Sequence, residues 1–358
     1  MKMQSGIGGL AAMLLGAASL AYGAERAAVQ AAQTDKDNNY VSTILISNEE
    51  EDATVAVDPN SKNAWGIAAS PDGGPWWVNN NGTNTSTIYD GDGTIHSLVV
   101  TVPGAPTGIV FNTSGSFRLA ADTKALFIFD AEDGSISAWA SGTAATVVHG
   151  PEEGSIYKGL AILGDVLYTT DFGHCSVDAY HGDFFNGTFA EFDTAGGFED
   201  GSIPTGYCPF GIQAVGDSVF VTYALKEGED DVAGQGHGFV RQFDADGHLM
   251  ASVGSRGQLN SPWGLAMAPA EGFGKFSGCL LVGNFGDGHI NAFCQNNGGQ
   301  WHHSGRLKEG PHTLTIDGLW GIGFGNDGLA GPSTTLYFAA GPDDEENGYY
   351  GTVEFQQK

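Results

Sequence analysis

The sequence predicts an all-β protein: a six-bladed β-propeller with four antiparallel strands per blade, in which an N-terminal strand closes the last blade. Three observations support this prediction. A glycine-containing apolar motif occurs six times, an apolar five-residue stretch follows each copy, and one strand-like segment near the N-terminus has no blade of its own. The motif recurs at intervals of roughly forty to sixty residues, and such a period is typical of propeller repeats.

The innermost strand of each predicted blade contains the repeated glycine in second place. Its six copies are WGIAA (65–69), TGIVF (107–111), KGLAI (158–162), FGIQA (210–214), WGLAM (263–267) and WGIGF (320–324). The second strands that follow are WWVNN (76–80), LFIFD (126–130), LYTTD (167–171), VFVTY (219–223), LLVGN (280–284) and LYFAA (336–340). Paired β-sandwiches do not repeat sixfold at this spacing, and the coils of a parallel β-helix are much shorter, so a propeller is favoured.

The outer strands follow the same frame. A third strand is indicated by the gapless match of DFGHCSVDAY (171–180) with NFGDGHINAF (284–293). Polar, glycine-rich turns then lead to fourth strands such as HSLVVTV (96–102) and HLMASVG (248–254). Each blade is therefore predicted to be a four-stranded antiparallel unit.

The last blade is predicted to be completed by the N-terminal strand. The segment GTVEF (351–355) leaves this blade one strand short, whereas YVSTILIS (40–47) is a strand without a blade. Pairing the two closes the ring and covers an edge that would otherwise favour aggregation. The predicted organisation is a signal peptide over 1–23, a flexible lead-in over 24–39 and a single propeller over 40–358.

Residues 1–23 have the pattern of a secretory signal. Lys2 precedes an apolar run over 7–20, and the small residues Ala21 and Gly23 precede a cleavage site near Ala24. The apolar run is too short to span a bilayer comfortably, and no other segment reaches transmembrane length. We therefore expect a secreted, extracellular monomer without stable membrane insertion.

The net charge narrows the class of partner. It is −28, with only 14 lysine and arginine residues in 358. Nucleic-acid binding requires a basic face, so nucleic acid is excluded as a partner. The charge favours cations, or simply solubility outside the cell. Small molecules, glycans and extracellular proteins remain as partner classes.

The four cysteines of an exported chain favour two disulfides, and the absence of CxxC spacing speaks against zinc. The repeat frame places Cys279 and Cys294 on neighbouring strands of blade 5. It places Cys175 and Cys208 in same-face connections of blades 3 and 4. Bridges 279–294 and 175–208 are therefore predicted. Four sequons predict a glycoprotein in a eukaryotic secretory pathway: Asn81, Asn84, Asn112 and Asn186.

One ring of candidate ligand-binding residues consists of the last residue of each second strand. Its members are Asn80, Asp130, Asp171, Tyr223, Asn284 and Ala340. Asn and Asp oxygens suit Ca²⁺, so one interpretation is a calcium site formed by the four Asn and Asp members. The other interpretation is that these side chains form Asx-turns, which satisfy the backbone where strands end.

A second ring consists of the residue before each repeated glycine: Trp65, Thr107, Lys158, Phe210, Trp263 and Trp320. Lys158 is its only charged member and neighbours Asp130 and Asp171 in repeat order. Two converging carboxylates would be unfavourable without a cation or a positive partner, and Lys158 is the candidate for that partner. The aromatic members either wedge between blades as core or line a pocket for a ring-bearing ligand.

Groups for acid–base chemistry are few. His174 and His289 occupy equivalent loops of blades 3 and 5, although exposed loop histidines without a function are commoner. Tyr223 and Lys158 complete the catalytic candidates, with Asp171 as the favoured base of a hydrolase. The chain contains no GxSxG motif and no P-loop.

The segments AWGIAASP, SPWGLAMAP, GKFSGCLLVGNFGDGHINAF and LYFAAGPDDEENGYYG resemble a family of exported proteins catalogued mainly from bacterial genomes. The resemblance covers residues 40–355, implies an NHL-like six-bladed propeller and carries over no catalytic residue. The chain is more distantly similar to gluconolactonase-like propellers, which are calcium-dependent lactone hydrolases with Asn and Asp ligands around the channel. That similarity implies metal ligation by Asn80, Asp130, Asp171 and Asn284. In place of the glutamate of the first blade in those enzymes, this chain has Asn63–Ala64–Trp65.

Three functions follow from the sequence, in order of preference. The first is a secreted propeller that binds a small ligand, glycan or protein on its loop face, with or without a cation. The second is a Ca²⁺-dependent hydrolase of the lactonase type, in which the metal polarises a carbonyl and activates water. The third is a lyase or isomerase that uses His174 or Tyr223.

Overall fold

The structure is a computed structural model that describes residues 38–357. Six main antiparallel sheets, the blades, are arranged in a ring. The innermost strands of consecutive blades pack side by side, and the innermost strand of blade 6 packs against that of blade 1. The predicted six-bladed propeller is therefore confirmed. The predicted signal peptide and nearly all of the predicted lead-in lie outside the described residues.

Blades 1 to 3 each contain four strands, which follow one another from the channel outwards. Blade 1 contains Ala64–Ala69, Trp76–Asn80, Thr85–Tyr89 and Val100–Thr101. Blade 2 contains Pro106–Phe111, Phe127–Ala131, Ile136–Trp139 and Thr146–His149. Blade 3 contains Tyr157–Leu163, Val166–Asp171, Ser176–His181 and Ala190–Glu191.

Blades 4 to 6 repeat this order. Blade 4 contains Tyr207–Val215, Ser218–Glu227, Gly238–Phe243 and Leu249–Ser255. Blade 5 contains Pro262–Met267, Leu280–Asn284, Ile290–Gln295 and Trp301–Arg306. Blade 6 contains Leu319–Phe324, Leu336–Ala340, Tyr349–Phe355 and Tyr40–Ser47.

Short additional elements decorate the connections. The two-residue strands outside the blades' four-strand units are Ala56–Val57, Thr123–Lys124, Asp230–Asp231, Lys308–Glu309 and His312–Thr313. The three-residue strand Arg118–Ala120 pairs with Thr123–Lys124. The helices of the described region are 3-10 turns, Asn81–Thr83 and Gly274–Phe276. No helix within residues 38–357 is long and apolar enough to cross a membrane.

The N-terminal strand closes the ring as predicted. Tyr40–Ser47 pairs antiparallel with Tyr349–Phe355 and so forms the outer strand of blade 6. Tyr40, Leu45 and Ile46 are buried, and the Tyr40 hydroxyl donates to the carbonyl of Phe273 at 2.9 Å. The two ends of the propeller sequence are therefore held together by apolar burial as well as by the strand ladder.

The fourth strand of blade 1 is shorter than predicted. HSLVVTV was expected to pair over 96–102, but the continuous ladder is confined to Val100–Thr101. The amide of His96 still donates to the Ile88 carbonyl and that of Val102 to the Asn84 carbonyl, both at 2.9 Å, so the ladder is interrupted over residues 97–99. The other predicted strands differ from the observed bounds by a few residues at their ends.

The repeated glycines are explained by close contact between neighbouring blades. At Gly321, an added Cβ would lie 2.6 Å from the carbonyl oxygen of Trp65 in the next blade. At Gly66, Gly108, Gly211 and Gly264 the neighbouring backbone is closer still, whereas at Gly159 the nearest atom is 3.2 Å away. Real Cβ contacts are essentially never shorter than 3.0 Å. The motif therefore leaves space for the adjacent strand at each of the six junctions.

Both predicted disulfides are present. Cys279–Cys294 joins the second and third strands of blade 5, and Cys175–Cys208 joins blade 3 to blade 4. Among the described residues no cysteine is free. Such bridges are typical of proteins that fold in an oxidising compartment.

Candidate functional site

The predicted ring at the ends of the second strands is buried and bonded to the protein. Asp130 has no exposed surface, and its carboxylate accepts hydrogen bonds from the Thr107 hydroxyl, the Gly108 amide and the Thr169 hydroxyl at 2.6–2.9 Å. Burial raises the pKa of Asp130 to about 6, although these three donors oppose the shift. Asp130 thus fastens blade 2 to blade 3.

Asp171 bonds the backbone at the end of its strand, but the amide that it accepts from along its own loop lies three residues on, not two as in the Asx-turn that one interpretation of the sequence expected. Its carboxylate accepts from the amides of Ile156 and His174, each at 3.0 Å, and contacts His174 Nδ1 at 2.8 Å. The hydrogen bond to Asp171 raises the pKa of His174, which is exposed. Ser155 Oγ also contacts Nδ1 of His174, at 3.3 Å. A Ser-His-Asp relay requires serine and aspartate on opposite ring nitrogens, so this trio is not one.

The remaining members of that ring also bond within their surroundings. Tyr223 donates to the Phe198 carbonyl, and burial raises the pKa of its phenol. Asn80 donates to the hydroxyls of Thr85 and Thr87 in its own blade. Asn284 donates to the Gln258 carbonyl and to Asp287. The amide oxygens of Asn80 and Asn284 are buried without a hydrogen-bond partner among the described residues.

The groups at the mouth of the channel come from positions just after that ring. These positions lie beyond the strands, in the connections to the third strands, where turn geometry and not strand alternation sets the direction of a side chain. Asn81 follows Asn80, Glu132 lies two residues after Asp130, and Glu345 lies in the corresponding connection of blade 6. The sequence reasoning missed these three residues, as well as Asn63, because it used the strand ends themselves.

These residues form a continuous network with Lys158, which we call the mouth network. Lys158 Nζ lies 2.5 Å from Glu132 Oε1, and Asn81 Nδ2 donates to Glu132 Oε2 at 2.9 Å. Asn63 Nδ2 lies 3.4 Å from Asn81 Oδ1 and donates to Glu345 Oε2 at 3.1 Å. The mouth network therefore connects blades 3, 2, 1 and 6 across the loop face, the face that carries the connections between second and third strands.

Lys158 was predicted as a counter-charge for Asp130 and Asp171, but it pairs with Glu132 instead. Its side chain is only 4% exposed, and a second carboxylate, Asp230, lies 3.9 Å from Nζ. The ammonium also lies 5.2 Å from the ring centroid of Trp65, within the range of a cation–π contact. The site thus already holds one ammonium group, supplied by the protein.

Glu345 is held in an unusual backbone turn. Asp343, Asp344 and Glu345 all have φ between 53° and 69°, a left-handed conformation that non-glycine residues rarely adopt consecutively. Burial raises the pKa of Glu345 to about 7, and the carboxylates of Glu132, Asp230 and Asp231 act in the same direction, against Lys158. Strained turns of this kind cluster at functional sites.

An aromatic cluster fills the channel beneath the mouth network. Trp320 stacks between Trp65 and Phe285, with ring centroids 3.7 and 3.8 Å apart, and Trp263 packs edge-on against both tryptophans. Trp65, Trp320 and Phe210 are buried, whereas Trp263 is partly exposed. The aromatic members of the predicted second ring are therefore mainly core.

Two of the three indole N–H groups in this cluster have protein acceptors. Trp320 donates to Asn63 Oδ1 at 3.0 Å, and Trp263 donates to the Lys158 carbonyl at 2.8 Å. The indole N–H of Trp65 is buried and has no acceptor among residues 38–357. A buried donor without an acceptor is unfavourable, so the Trp65 N–H is an unsatisfied group inside the aromatic cluster.

An acidic cleft opens beside the mouth network. Its volume is about 700 Å³. The charged side chains that line it are Lys158 and six carboxylates: Glu132, Asp133, Glu152, Glu153, Glu229 and Asp230. Since Lys158 is already paired with Glu132, negative charge dominates the lining of the cleft.

Comparisons with known proteins place the chain among viral relatives. No protein-family model matches it. The uncharacterized protein R648 of Acanthamoeba polyphaga mimivirus is 31% identical over 334 residues, which cover 86% of this chain and 78% of the relative. The uncharacterized protein L690 of the same virus is 32% identical over 319 residues, covering 83% and 81%. The expected bacterial, exported family stays a prediction.

Solved structures with a similar fold have low sequence identity. Virginiamycin B lyase from Staphylococcus aureus superposes with a TM-score of 0.50 at 15% identity, covering 89% of this chain and all of that one. A gluconolactonase from Xanthomonas campestris gives a TM-score of 0.49 at 13% identity, covering 83% and 87%. At such identities the likeness concerns the fold alone.

Proposed function

The chain belongs to the family of the mimivirus proteins R648 and L690, and from this premise we propose that it is a ligand-binding propeller that takes a small cationic ligand on its loop face. The acidic cleft beside the mouth network carries the proposal. Function resides in sites rather than in folds, so the proposal depends on the charges of this cleft.

The charge of the cleft favours a cation. Six carboxylates line it, against one lysine that is already paired. Most of these carboxylates are exposed, and an exposed ion pair contributes about 0.2–1 kcal/mol, so affinity for a cation requires several of them to act together. An anionic ligand would meet the same field with the opposite sign, and the net charge of −28 adds to its repulsion at longer range.

The mouth network indicates which kind of cation the site accepts. Lys158 is an alkyl ammonium held between a carboxylate and the face of Trp65. A ligand ammonium beside Asp230 and Glu229 would experience the same kind of field. These contacts support an organic amine.

The surroundings support an extracellular role. One disulfide, Cys175–Cys208, ties blade 3 to blade 4, and the other, Cys279–Cys294, lies within blade 5. Disulfides persist in oxidising compartments. Secretion, the signal peptide over 1–23 and glycosylation belong to this proposal. The sequons differ in exposure, since Asn84 and Asn186 are exposed whereas Asn112 is buried.

The calcium-dependent hydrolase is not favoured by the residues that were predicted to bind the metal. Both carboxylates, Asp130 and Asp171, accept three hydrogen bonds each from the protein and are fully buried. We find this set a poor fit for an ion that enters from the mouth, and we derive no hydrolytic step from it. Calcium binding at Asn80, Asp130, Asp171 and Asn284 stays a prediction that metal analysis of the purified protein would test.

Calorimetric titration tests the proposed cation site. Spermidine serves as the organic cation, calcium chloride as the metal and succinate as the anionic control. We expect saturable spermidine binding and no succinate binding. The double variant Glu229→Gln/Asp230→Asn removes two exposed carboxylates of the cleft and should weaken spermidine binding by about tenfold. The matched control Glu354→Gln removes an exposed carboxylate of the third strand of blade 6. It should leave spermidine binding unchanged. Equal affinity in the wild type and the double variant would refute the proposal.

A further inference from the structure

The end of the channel opposite the mouth network forms a separate apolar funnel. It opens on the turn face, which carries the connections between first and second strands, and has a volume of about 440 Å³. Among the described residues that line it, Thr113 contributes a hydroxyl and Gln213 an amide. The others are apolar or glycine and come mainly from the ends of the innermost strands of the six blades.

The funnel is closed at its inner end. The residues directly after the repeated glycines form a ring of aliphatic side chains: Ile67, Ile109, Leu160, Ile212, Leu265 and Ile322. The space left between them is only about 30 Å³. The aromatic cluster lies on the far side of this ring. A molecule that enters from the turn face therefore cannot reach the mouth network.

Large apolar side chains remain partly exposed in the funnel. Ile67, Phe111, Ile162, Met267 and Phe324 are all only half-buried although they lie inside the ring of blades. Concave sites lined mainly by apolar side chains are the usual place for small-molecule binding. The volume is also in the range of small-molecule pockets.

The turn face around the funnel is acidic. The connections between first and second strands carry an exposed carboxylate in each of the six blades: Asp72, Asp122, Asp165, Asp217, Glu271 and Asp327. Three basic side chains lie in the same connections, and each has a partner there or nearby. Arg118 pairs with Asp183, the ammonium of Lys124 donates to the carbonyls of Asn112 and Ser114, and that of Lys275 lies over the ring of Phe276.

We propose that the funnel is a second binding site, specific for a small amphiphilic cation whose apolar part enters the funnel and whose ammonium or guanidinium group stays at the rim. The apolar lining selects against spermidine-like ligands, which offer little apolar surface. The turn face selects against fatty anions, because a negative head group would meet a surface on which six exposed carboxylates outnumber three basic side chains that already have partners. Charge complementarity and the blind apolar interior thus point to the same class of ligand.

The test compares two amphiphiles of equal chain length and opposite charge. The full-length protein is titrated calorimetrically with decyltrimethylammonium and with decyl sulfate, both below their micelle concentrations. We expect one decyltrimethylammonium per chain and binding of decyl sulfate at least roughly tenfold weaker. Ile162→Gln, which places an amide in the funnel, should weaken decyltrimethylammonium binding by roughly tenfold. Met267→Gln is the alternative variant should the first fail to fold.

Rim and loop-face variants separate this site from the cation site proposed above. Asp72→Asn/Asp217→Asn should weaken decyltrimethylammonium binding by roughly threefold and make it less sensitive to salt. Glu229→Gln/Asp230→Asn should weaken spermidine but leave decyltrimethylammonium unchanged. The inference is overturned by equal binding of the two amphiphiles, by several molecules per chain, or by affinity that both funnel variants leave intact. Loss of decyltrimethylammonium binding in the loop-face variant would likewise overturn it.

Discussion

The repeated glycines offer a sharp test of the propeller geometry, since equivalent positions differ in the space available. Gly321→Ala would place a Cβ 2.6 Å from the Trp65 carbonyl, whereas Gly159→Ala would place it 3.2 Å from the Phe210 carbonyl. Neither glycine has a positive φ, so backbone strain does not distinguish them. Replacing glycine with alanine stabilises by about 0.4–1 kcal/mol through the unfolded chain. Overpacking against a backbone that cannot retreat costs about 1–3 kcal/mol.

The balance between the effect on the unfolded chain and the cost of overpacking differs between Gly321 and Gly159. At Gly321 the added Cβ would lie 0.4 Å inside the 3.0 Å limit, and the atom that it meets belongs to the backbone. We therefore expect the free energy of unfolding to fall by about 2 kcal/mol. At Gly159 a shift of a few tenths of an ångström relieves the contact, and we expect a change of less than about 1 kcal/mol. Urea denaturation followed by circular dichroism measures both. Equal losses in the two variants, or a larger loss at Gly159, would refute the reasoning.

Three further predictions concern closure, covalent structure and pH. Deleting residues 40–47 removes the buried side chains of Tyr40, Leu45 and Ile46, whose burial stabilises the fold by about 1.5–3 kcal/mol each. The whole propeller should lose its cooperative thermal transition. An unchanged melting profile would contradict the closure. The double variant Cys279→Ser/Cys294→Ser removes a disulfide between residues 15 apart in sequence and should lower the free energy of unfolding by about 3 kcal/mol. Urea denaturation of the variant, compared with the reduced and the oxidised wild type, measures this change. Burial raises the pKa of Glu345 to about 7 from an ordinary 4.5, so the folded state retains this proton to a higher pH than the unfolded chain does. The stability contribution of Glu345 should therefore fall as pH rises from about 4.5 to about 7, and Glu345→Gln should flatten that part of the stability profile; identical profiles for the two proteins would exclude this assignment.

The fold was accessible to sequence reasoning because its determinants are local and repeated. Each blade carries its own apolar strands, and the glycine of WGIAA or WGLAM is required by the neighbouring backbone at its junction. The pairing of Tyr40–Ser47 with Tyr349–Phe355 followed from counting strands. The disulfides followed from the repeat frame, since each predicted pair lies on adjacent strands or on one face. The short strand Val100–Thr101 was misjudged because the ladder is interrupted over residues 97–99, and no glycine or proline in HSLVVTV marks that interruption.

The site was less accessible because side-chain direction changes from one residue to the next. Asn80, Asp130 and Asp171 were selected for their recurrence at one frame position, yet their polar atoms bond mainly to turns and neighbouring strands. Glu132 and Asn81 lie one or two residues further on and face the mouth instead. A shift of one residue reverses the side of a strand on which a side chain lies, and turn geometry decides the direction beyond the strand.

The sequence alone determined the number of blades, the closing strand, the two disulfides and the acidic character of the protein, because these depend on composition, periodicity and covalent possibility. Only the tertiary structure decided which charges meet. Asn63 and Glu345 are 282 residues apart and share a hydrogen bond, and Lys158 pairs with Glu132 rather than with the aspartates expected beside it. Contacts between loops of different blades depend on ring closure and on turn conformation, including the left-handed turn at Asp343–Glu345. No local sequence pattern encodes the ring closure or the turn conformation.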